Sequence, residues 1–383
     1  MLDEMIAMAA LVIWLYLLTA RGGFWLCRER DDVAPSAPSH WPRVTAVVPA
    51  RNEADCIAKS IGSLARQDYP GKFSIILVDD DSDDETVAVA RRVAAECSIG
   101  VISSRGVDSG WTGKLWALHQ GVDAANAAPE PPDYLLLTDA DILHAPDSVS
   151  ALVARAERGS YVLTSLMARL RCESLAERSH VPAFVFFFQM LFPFSWVSDA
   201  KRATAAAAGG CMLVKADALR QAGGIESIRS ALIDDCSLAR KLKAIGPIWL
   251  GLTDRVHSIR RYDNLSNVIA MISRSAYAQL NYSPLLLFAV TLGMALTFLA
   301  GPLLAAFGEG QTRLLGVLTW IFMALAFQPM LRFYRVSPLW GLALPAIASA
   351  YMVYTLESAH RYARGQGGNW KGRVQANVSC PRR

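Results

Sequence analysis

The sequence predicts an α/β domain with a parallel sheet, set between membrane-embedded segments. Charged residues vanish from Met5–Ala20, Ser275–Gly308, Leu314–Leu331 and Pro338–Leu356, although the whole chain of 383 residues carries 19% charged residues. Soluble domains carry about a quarter, so the deficit sits in these blocks. A bilayer core takes about 20 apolar residues in a helix rising about 1.5 Å per residue. The last three blocks are long enough, and the first reaches that length by adding Gly22–Leu26. Between them, over residues 43–255, charge content is near normal and short apolar runs alternate with helical patterns. A purely soluble, a disordered or a repeat-built chain is excluded.

The elements follow in order. Residues 1–26 read as an N-terminal anchor; it opens Met1-Leu2-Asp3-Glu4, with acids where a secretion signal wants positive charge, so it is expected to stay uncleaved. Residues 27–42, with Pro and Ser concentrated in Asp31–Pro42, read as a linker. Within residues 43–260, strands are expected at Val44–Val48, Ser74–Val78, Gly100–Ser103, Tyr134–Thr138, Tyr161–Ser165 and Cys211–Val214. Helices are expected at Glu53–Arg66, Asp84–Glu96, Gly113–Ala125 and Ser148–Arg158. Short strands each followed by a helix imply parallel crossovers. Such sheets bind ligands at the carboxyl ends of their strands, here Pro49–Glu53, Asp79–Asp84 and Asp139–Asp141. Val181–Ser198 is free of charge but holds Pro182 and Pro193; it fits a helix in the membrane interface or lining an apolar channel, the alternative being a buried core helix. Tyr262–Tyr282, within residues 261–283, reads as an interfacial helix, residues 284–357 as two to three spans, and residues 358–383 as a basic tail.

Net charge is +4, too mild for a nucleic-acid partner, and no long basic run exists. Arginines gather at hydrophobic boundaries instead (Arg21, Arg28, Arg30; Arg332, Arg335; Arg361, Arg364), as on cytoplasmic membrane flanks. The seven cysteines form no Cys-x-x-Cys and no paired His spacing, so buried free thiols in a reducing compartment are expected rather than zinc or disulfides.

Chemistry concentrates at the strand ends. The turn Pro49-Ala50-Arg51-Asn52-Glu53 has neither GxGxxG nor GxxxxGK[ST], which excludes a nicotinamide site and a P-loop; the N–H groups of the helix beginning there could still face a phosphate. Val78-Asp79-Asp80-Asp81-Ser82-Asp83-Asp84 exceeds what capping by Ser82 or Asp83 needs, so Asp79 or Asp80 is expected to take a base N–H or a ribose hydroxyl. Asp139-Ala140-Asp141 follows the apolar Leu135–Leu137. Two carboxylates around one small residue suit Mg²⁺ or Mn²⁺, hard cations that take one or two carboxylates plus substrate phosphates and water. A capped turn before Pro146 is the plain alternative.

With Val47-Val48-Pro49-Ala50-Arg51-Asn52-Glu53, the acid run Val78–Asp84, Gly113-Lys114-Leu115-Trp116-Ala117-Leu118 and Thr138-Asp139-Ala140-Asp141 in this order, the chain resembles family 2 glycosyltransferases of the GT-A fold, the Rossmann-like nucleotide-diphospho-sugar transferases, over residues 43–260. The arrangement of anchor and C-terminal spans looks most like the hopanoid-biosynthesis-associated membrane enzymes. The resemblance implies that Pro49, Arg51, Glu53, Asp79 and Asp80 meet the nucleotide, that Lys114 lies near the nucleotide-sugar, and that Asp139 and Asp141 hold the metal and diphosphate. It also implies a base on a later acidic pair. Asp235 of Leu232-Ile233-Asp234-Asp235-Cys236 takes that place, with Asp234 where the family usually has Glu. Adjacent carboxylates raise each other's pKa and so improve a proton acceptor, although a helix N-cap would also use such a pair. Gly209-Gly210 resembles the family's small-residue loop on the acceptor side. The Gln-x-x-Arg-Trp signature of processive synthases is reduced to Met271-Ile272-Ser273-Arg274-Ser275, where only Arg274 remains. His257, Arg260 and Arg261 suit diphosphate, lipid head groups or an interfacial anchor.

The resulting expectation is a multi-pass enzyme of the inner (cytoplasmic) membrane with its catalytic domain in the cytoplasm. It would move a sugar, with inversion, from a nucleotide-diphosphate sugar (a UDP-sugar by preference) to a hopanoid or polyisoprenoid-type lipid. The alternatives are a processive polysaccharide synthase and a non-catalytic membrane binding protein on a degenerate transferase domain. One tension concerns the tail: three C-terminal spans would export Arg361, Arg364, Lys371 and Arg373, against the positive-inside tendency. Pro338–Leu356, interrupted by Gly341, Pro345 and Ser349, is the block expected not to cross, as a re-entrant or interfacial hairpin.

Overall fold

The computed structural model describes residues 1–97, 99–365, 369–370 and 373–374. These form two compact units, an α/β unit of Glu29–Arg171 and Trp196–Arg260, and a helical unit of Met1–Arg28, Cys172–Ser195 and residues 261–365.

The α/β unit holds one eight-stranded sheet: β1 Val44–Ala50, β2 Phe73–Asp79, β3 Ile99–Ser103, β4 Tyr134–Thr138, β5 Ile142–His144, β6 Leu163–Arg169, β7 Cys211–Lys215 and β8 Ile248–Ser258, in the order β3-β2-β1-β4-β7-β6-β8-β5. The first four are mutually parallel, as the crossover helices require. β1 and β4 are buried along their whole length, which is why they read as unbroken apolar runs. The second half departs from the parallel expectation: β7 runs antiparallel to β4 and β6, and β5 antiparallel to β8. Hydrophobic pattern reports burial and not direction, so this polarity could not be read in advance.

Helices Ala54–Ala65 and Ser148–Gly159 cover the sheet with Ile57, Ile61, Leu64, Val149, Leu152 and Val153, against Leu77, Leu136 and Leu166. Helix Gly113–Asn126 packs closely on β1 and β2: a Cβ on Gly121 would lie 2.4 Å from Val47 and 2.8 Å from Val78, so only glycine permits that approach. The expected linker is partly docked. Asp31 N–H donates to Leu252 O and Leu252 N–H to Glu29 O, extending the sheet beside β8. The buried Asp31 carboxylate lies between Arg155 (3.4 Å) and Arg255 (3.2 Å).

Among the described residues, three helices, all in the helical unit, are long and apolar enough to cross a membrane: Leu2–Thr19, Pro284–Phe307 and Gly310–Tyr334. The second contains a π turn over Ala295–Leu299. The last two form an antiparallel hairpin in which a Cβ on Gly301 would meet Thr319, and one on Gly316 would meet Ala305. Trp14 donates its indole N–H to Thr297 O (2.7 Å), tying the N-terminal helix to the hairpin. Pro338–Leu356 is part of one continuous helix, Trp340–Ala363, not a hairpin, and it is not among the three apolar enough to cross. That helix begins beside the middle of Gly310–Tyr334, through Gln328 to Pro338 O and Trp320 to Leu342 O (both 3.1 Å). It ends with Tyr362 stacked on Tyr282 at 4.3 Å.

The charge-free segment Val181–Ser198 contributes most of helix Leu175–Leu191, which stops before Pro193 and opens with a capping box of Ser174 and Glu177. Its Phe186 packs on Phe327, and Phe187 on Phe298 and Tyr351, inside the helical unit. Of Tyr262–Tyr282, only Leu265–Ser273 is α-helical, with Arg274 as its C-cap. Lys371, Ser379 and Cys380 of the basic tail lie outside the described residues.

Candidate active site

The parallel register of β2, β1 and β4 brings Asp79, the Arg51–Glu53 turn and Asp139 to one edge of the sheet. The acid run after β2 is largely committed to the turn after β1. Arg51 donates to the carbonyl oxygens of Asp80 and Asp81. Asn52, held in the left-handed region, gives its N–H to Ser82 Oγ and accepts from Asp83 N–H (both 3.0 Å). The N–H groups of Glu53 and Ala54 go to Thr86 Oγ1 (2.7 Å) and Asp84 (3.2 Å), so these two are not left for a phosphate. The N-cap position of helix Thr86–Glu96 is Glu85, without a side-chain cap, and not Ser82 or Asp83; Asp84 accepts from Thr86 N–H at 2.9 Å. Asp79 and Asp80 are buried, and Asp79 accepts from Ser82 N–H at 3.3 Å. Pro49 is a buried-strand residue paired with Val78.

Around Asp139 the structure joins residues far apart in sequence. Lys114, in the first turn of its helix, reaches Asp139 Oδ1 (2.9 Å) and Asp234 Oδ2 (3.1 Å). Asp234 and Asp235 open helix Asp234–Lys243. Neither caps it from the N-cap position, which Ile233 occupies. Asp235 accepts from Gly209 N–H (3.0 Å) and from Cys236 N–H (2.7 Å). A Cβ at Gly209 would lie 3.5 Å from both Asp235 Oδ2 and Lys114 Nζ, so this glycine faces the same space; one at Gly210 would meet Ile142 at 3.2 Å. Asp141 is paired by Arg260 (2.7 Å), which also reaches Glu53 (2.6 Å), and Ser258 Oγ lies 3.4 Å away. The sequence alone leaves Arg260 open to diphosphate, lipid head groups or an interfacial anchor; no local signal marks its partners, which are 119 and 207 residues away. His257 bonds locally to Asp254 O (2.8 Å). Arg261 and Arg274 belong to the helical unit.

Burial pushes Asp235 up to about 6, and Asp234 adds to the shift, while the N–H of Cys236, Lys114 and the N–H of Gly209 oppose it. Burial also raises Asp139, with Asp141 and Asp234 reinforcing and Lys114 opposing. Burial alone would lower Lys114, but Asp139 and Asp234 outweigh it and keep the ammonium protonated. Five carboxylates (Glu53, Asp139, Asp141, Asp234, Asp235) thus face two cations (Lys114, Arg260), leaving an excess negative charge that suits a divalent cation. Among the described residues no group of three or more His, Cys, Asp or Glu side chains could hold a metal. The pair Asp139/Asp141 therefore fits Mg²⁺ or Mn²⁺ only with phosphate and water oxygens completing the shell, the usual arrangement for these ions.

Comparisons with known proteins bear on the fold and on the sequence family. A solved mannosyltransferase of Pyrobaculum calidifontis, PcManGT, in complex with GDP-Man and Mn2+, aligns with a TM-score of 0.56 at 20% identity, over 94% of this chain and 99% of that one. At that identity the likeness establishes the fold, a GT-A-like mixed sheet accompanied by one N-terminal and two C-terminal apolar helices. In sequence, a 4,4'-diaponeurosporenoate glycosyltransferase of Staphylococcus haemolyticus is 29% identical over 119 residues, covering 31% of this chain and 29% of that protein. The uncharacterized glycosyltransferase YaiP of Escherichia coli is 33% identical over 119 residues, covering 30% of this chain and 27% of that protein. The match thus spans less than a third of the length of these relatives. Residues 45–223 match the family described as glycosyl transferase family 2. The strand-end carboxylates and the fold agree with this match to a glycosyl transferase family 2 domain over residues 45–223.

Proposed function

We propose that the protein is a membrane-bound inverting glycosyltransferase that moves a sugar from a nucleotide-diphosphate sugar to a lipid acceptor of hopanoid or polyisoprenoid type. The observation that carries this reading is Asp235, a partly buried carboxylate pushed up to about 6 and set beside Asp234, which Lys114 joins to the strand-end Asp139. Asp79, Asp80 and the turn of Arg51 would orient the nucleoside. Asp139 and Asp141 would hold Mg²⁺ or Mn²⁺, which when bound supplies positive charge to the leaving diphosphate. Lys114 keeps a fixed ammonium beside Asp139, and Gly209 leaves room for the acceptor next to Asp235. Asp235 takes the proton from the acceptor hydroxyl as its oxygen attacks the anomeric carbon; the bond to the nucleotide breaks in the same displacement, and the configuration inverts.

The lipid acceptor is supported by the three apolar helices among the described residues and by relatives named 4,4'-diaponeurosporenoate glycosyltransferase. The PcManGT complex with GDP-Man and Mn2+ supports a nucleotide-sugar donor and a divalent metal. The test is a panel of UDP- and GDP-sugars incubated with the full-length protein and membrane lipid extract, read by mass spectrometry. A sugar added to a lipid supports the proposal; nucleotide release that yields only polymer, or no transfer from any donor, overturns it. In a direct nucleotide-binding measurement, Asp139→Ala and Asp141→Ala are each expected to weaken binding at least tenfold, and EDTA to do the same to wild type. Nucleotide affinity indifferent to all three would remove the metal.

Two C-terminal crossings fit this reading better than three. The hairpin of Pro284–Phe307 and Gly310–Tyr334 returns the chain to the face it left, and the stack of Tyr362 on Tyr282 sets the end of helix Trp340–Ala363 level with the start of the hairpin. The tail then stays with Arg261–Tyr282 in the cytoplasm, as the positive-inside tendency asks. With Cys380 replaced, Arg364→Cys is expected to resist an impermeant maleimide on intact cells and to react once they are permeabilised. Prompt labelling of intact cells would place the tail outside.

A further inference from the structure

The loop of residues 199–210, which ends on Gly209 and Gly210, has no strand or helix of its own. It is held by side chains instead. At its start Lys243 points its ammonium at the carbonyl oxygens of Trp196, Val197, Asp199 and Thr204, at 2.7–3.1 Å. In its middle Ser165 Oγ accepts from Ala208 N–H at 2.9 Å. At its end Thr138 Oγ1 donates to Gly210 O at 2.8 Å, across 72 residues of sequence.

Thr138 is the last residue of β4, adjacent to Asp139, and both it and His144 are buried. A carbonyl oxygen only accepts, so the one Thr138 proton is spent on Gly210, and Thr138 Oγ1 must accept from His144 Nε2, 3.0 Å away. Burial lowers His144 to about 3, so the ring is neutral with its proton on Nε2. Ser148 Oγ lies 3.3 Å from Nδ1 and donates its own proton to Gln67 Oε1 at 3.0 Å. Gln67 Oε1 also accepts from the N–H of Val149 at 3.0 Å. The His144 and Thr138 donors both point toward Gly210, and the next residue back, Gly209, gives its N–H to Asp235.

Resting on the base assignment to Asp235 above, we propose that Thr138 and His144 are positioning residues: together they fix the Gly209–Gly210 peptides so that the Gly209 N–H meets Asp235 and the space beside it stays open. Sheet packing alone does not need them. A valine at 138 would fill nearly the same volume without the hydroxyl, and a buried hydroxyl needs partners to be tolerated. The hydrogen bonds define where the loop sits.

The test compares Thr138→Val with Thr138→Ser in the full-length protein in detergent. Amide hydrogen exchange across residues 205–211 is expected to quicken at least tenfold in the Val variant and to stay near wild type in the Ser variant, with exchange in β1 unchanged in both. Unchanged exchange at 205–211 in Thr138→Val overturns the proposal. If exchange rises in β1 as well, the sheet itself has loosened, and His144→Leu becomes the deciding variant: quickening confined to 205–211 supports the proposal, and none overturns it. With the donor that the panel identifies, Thr138→Val is expected to lower kcat roughly 10–100-fold, as small misplacements of reacting groups do, while KM for the sugar nucleotide stays within twofold and Ser restores the rate. An equal fall in the Ser variant also overturns it. If wild type transfers no sugar, the functional reading fails, and the exchange measurement still decides this one.

Discussion

Asp235→Asn is expected to lower kcat for sugar transfer by roughly 10²–10⁴-fold, the range general-base catalysis supplies, while nucleotide affinity changes less than twofold. The amide keeps the shape and can still accept one N–H, but it cannot take a proton. The pH dependence follows from the same group. With Asp235 near 6, wild-type kcat is expected to fall about tenfold per pH unit below that value, because the protonated carboxyl is no base; the variant's residual rate is expected to lack this limb. Stability runs the other way. The folded-state pKa lies above the ordinary 3.8, so the native protein binds this proton more tightly than the unfolded chain, and stability declines as pH rises from about 4 to about 6. At neutral pH the ionised, partly buried Asp235 is therefore a destabilising charge, so Asp235→Asn is expected to melt no lower than wild type at pH 7. A variant with full transfer activity would remove Asp235 from the base role, whereas inactivity with a lower melting temperature would point to misfolding instead.

Lys114→Met is expected to be the most destabilising single change at the site. The lysine is the shared partner of Asp139 and Asp234, and removing one partner from a mostly buried ionic cluster typically costs about 3–5 kcal/mol. For a unit of this size that lowers the melting temperature on the order of 10 °C. The orphaned carboxylates can recover part of this by protonating, so the deficit is expected to shrink as pH falls toward 5. Adding Asp234→Asn removes one unpaired charge, and the double variant is expected to melt above Lys114→Met alone. Thermal unfolding of the four proteins at pH 5 and pH 8 checks both statements. A loss of less than about 1 kcal/mol, insensitive to pH, would mean that Lys114 is a solvated residue and not the centre of the cluster.

Much of the architecture was legible because it is local. Strands β1 to β4 are short apolar runs, β2 and β4 ended by acids, and their helices carry clear periodicity, so their bounds in the structure fall within two residues or so of those expected. Strand β8 was not anticipated: its apolar first half is broken by Gly251 and then by Thr253, Asp254 and Arg255 at the rim, so neither a continuous nor an alternating pattern survives. The short β5 was missed because three residues carry no period. The charge-free stretch around Phe184–Phe188 declared itself apolar. Its place inside the helical unit follows from aromatic contacts with residues more than a hundred positions away, which no local pattern encodes.

The sequence by itself determined which carboxylates could act: Asp79, Asp80, Asp139, Asp141, Asp234 and Asp235 stand at strand ends or helix starts, where backbone geometry exposes them to a ligand. Tertiary structure decided what each one faces. Lys114 joins Asp139 to Asp234, Arg260 joins Asp141 to Glu53, and Thr138 reaches Gly210 beside the loop that meets Asp235. Motif spacing places a group along its own strand or helix. Charge pairing and pKa depend on distances between elements, and those distances exist only once the sheet is assembled.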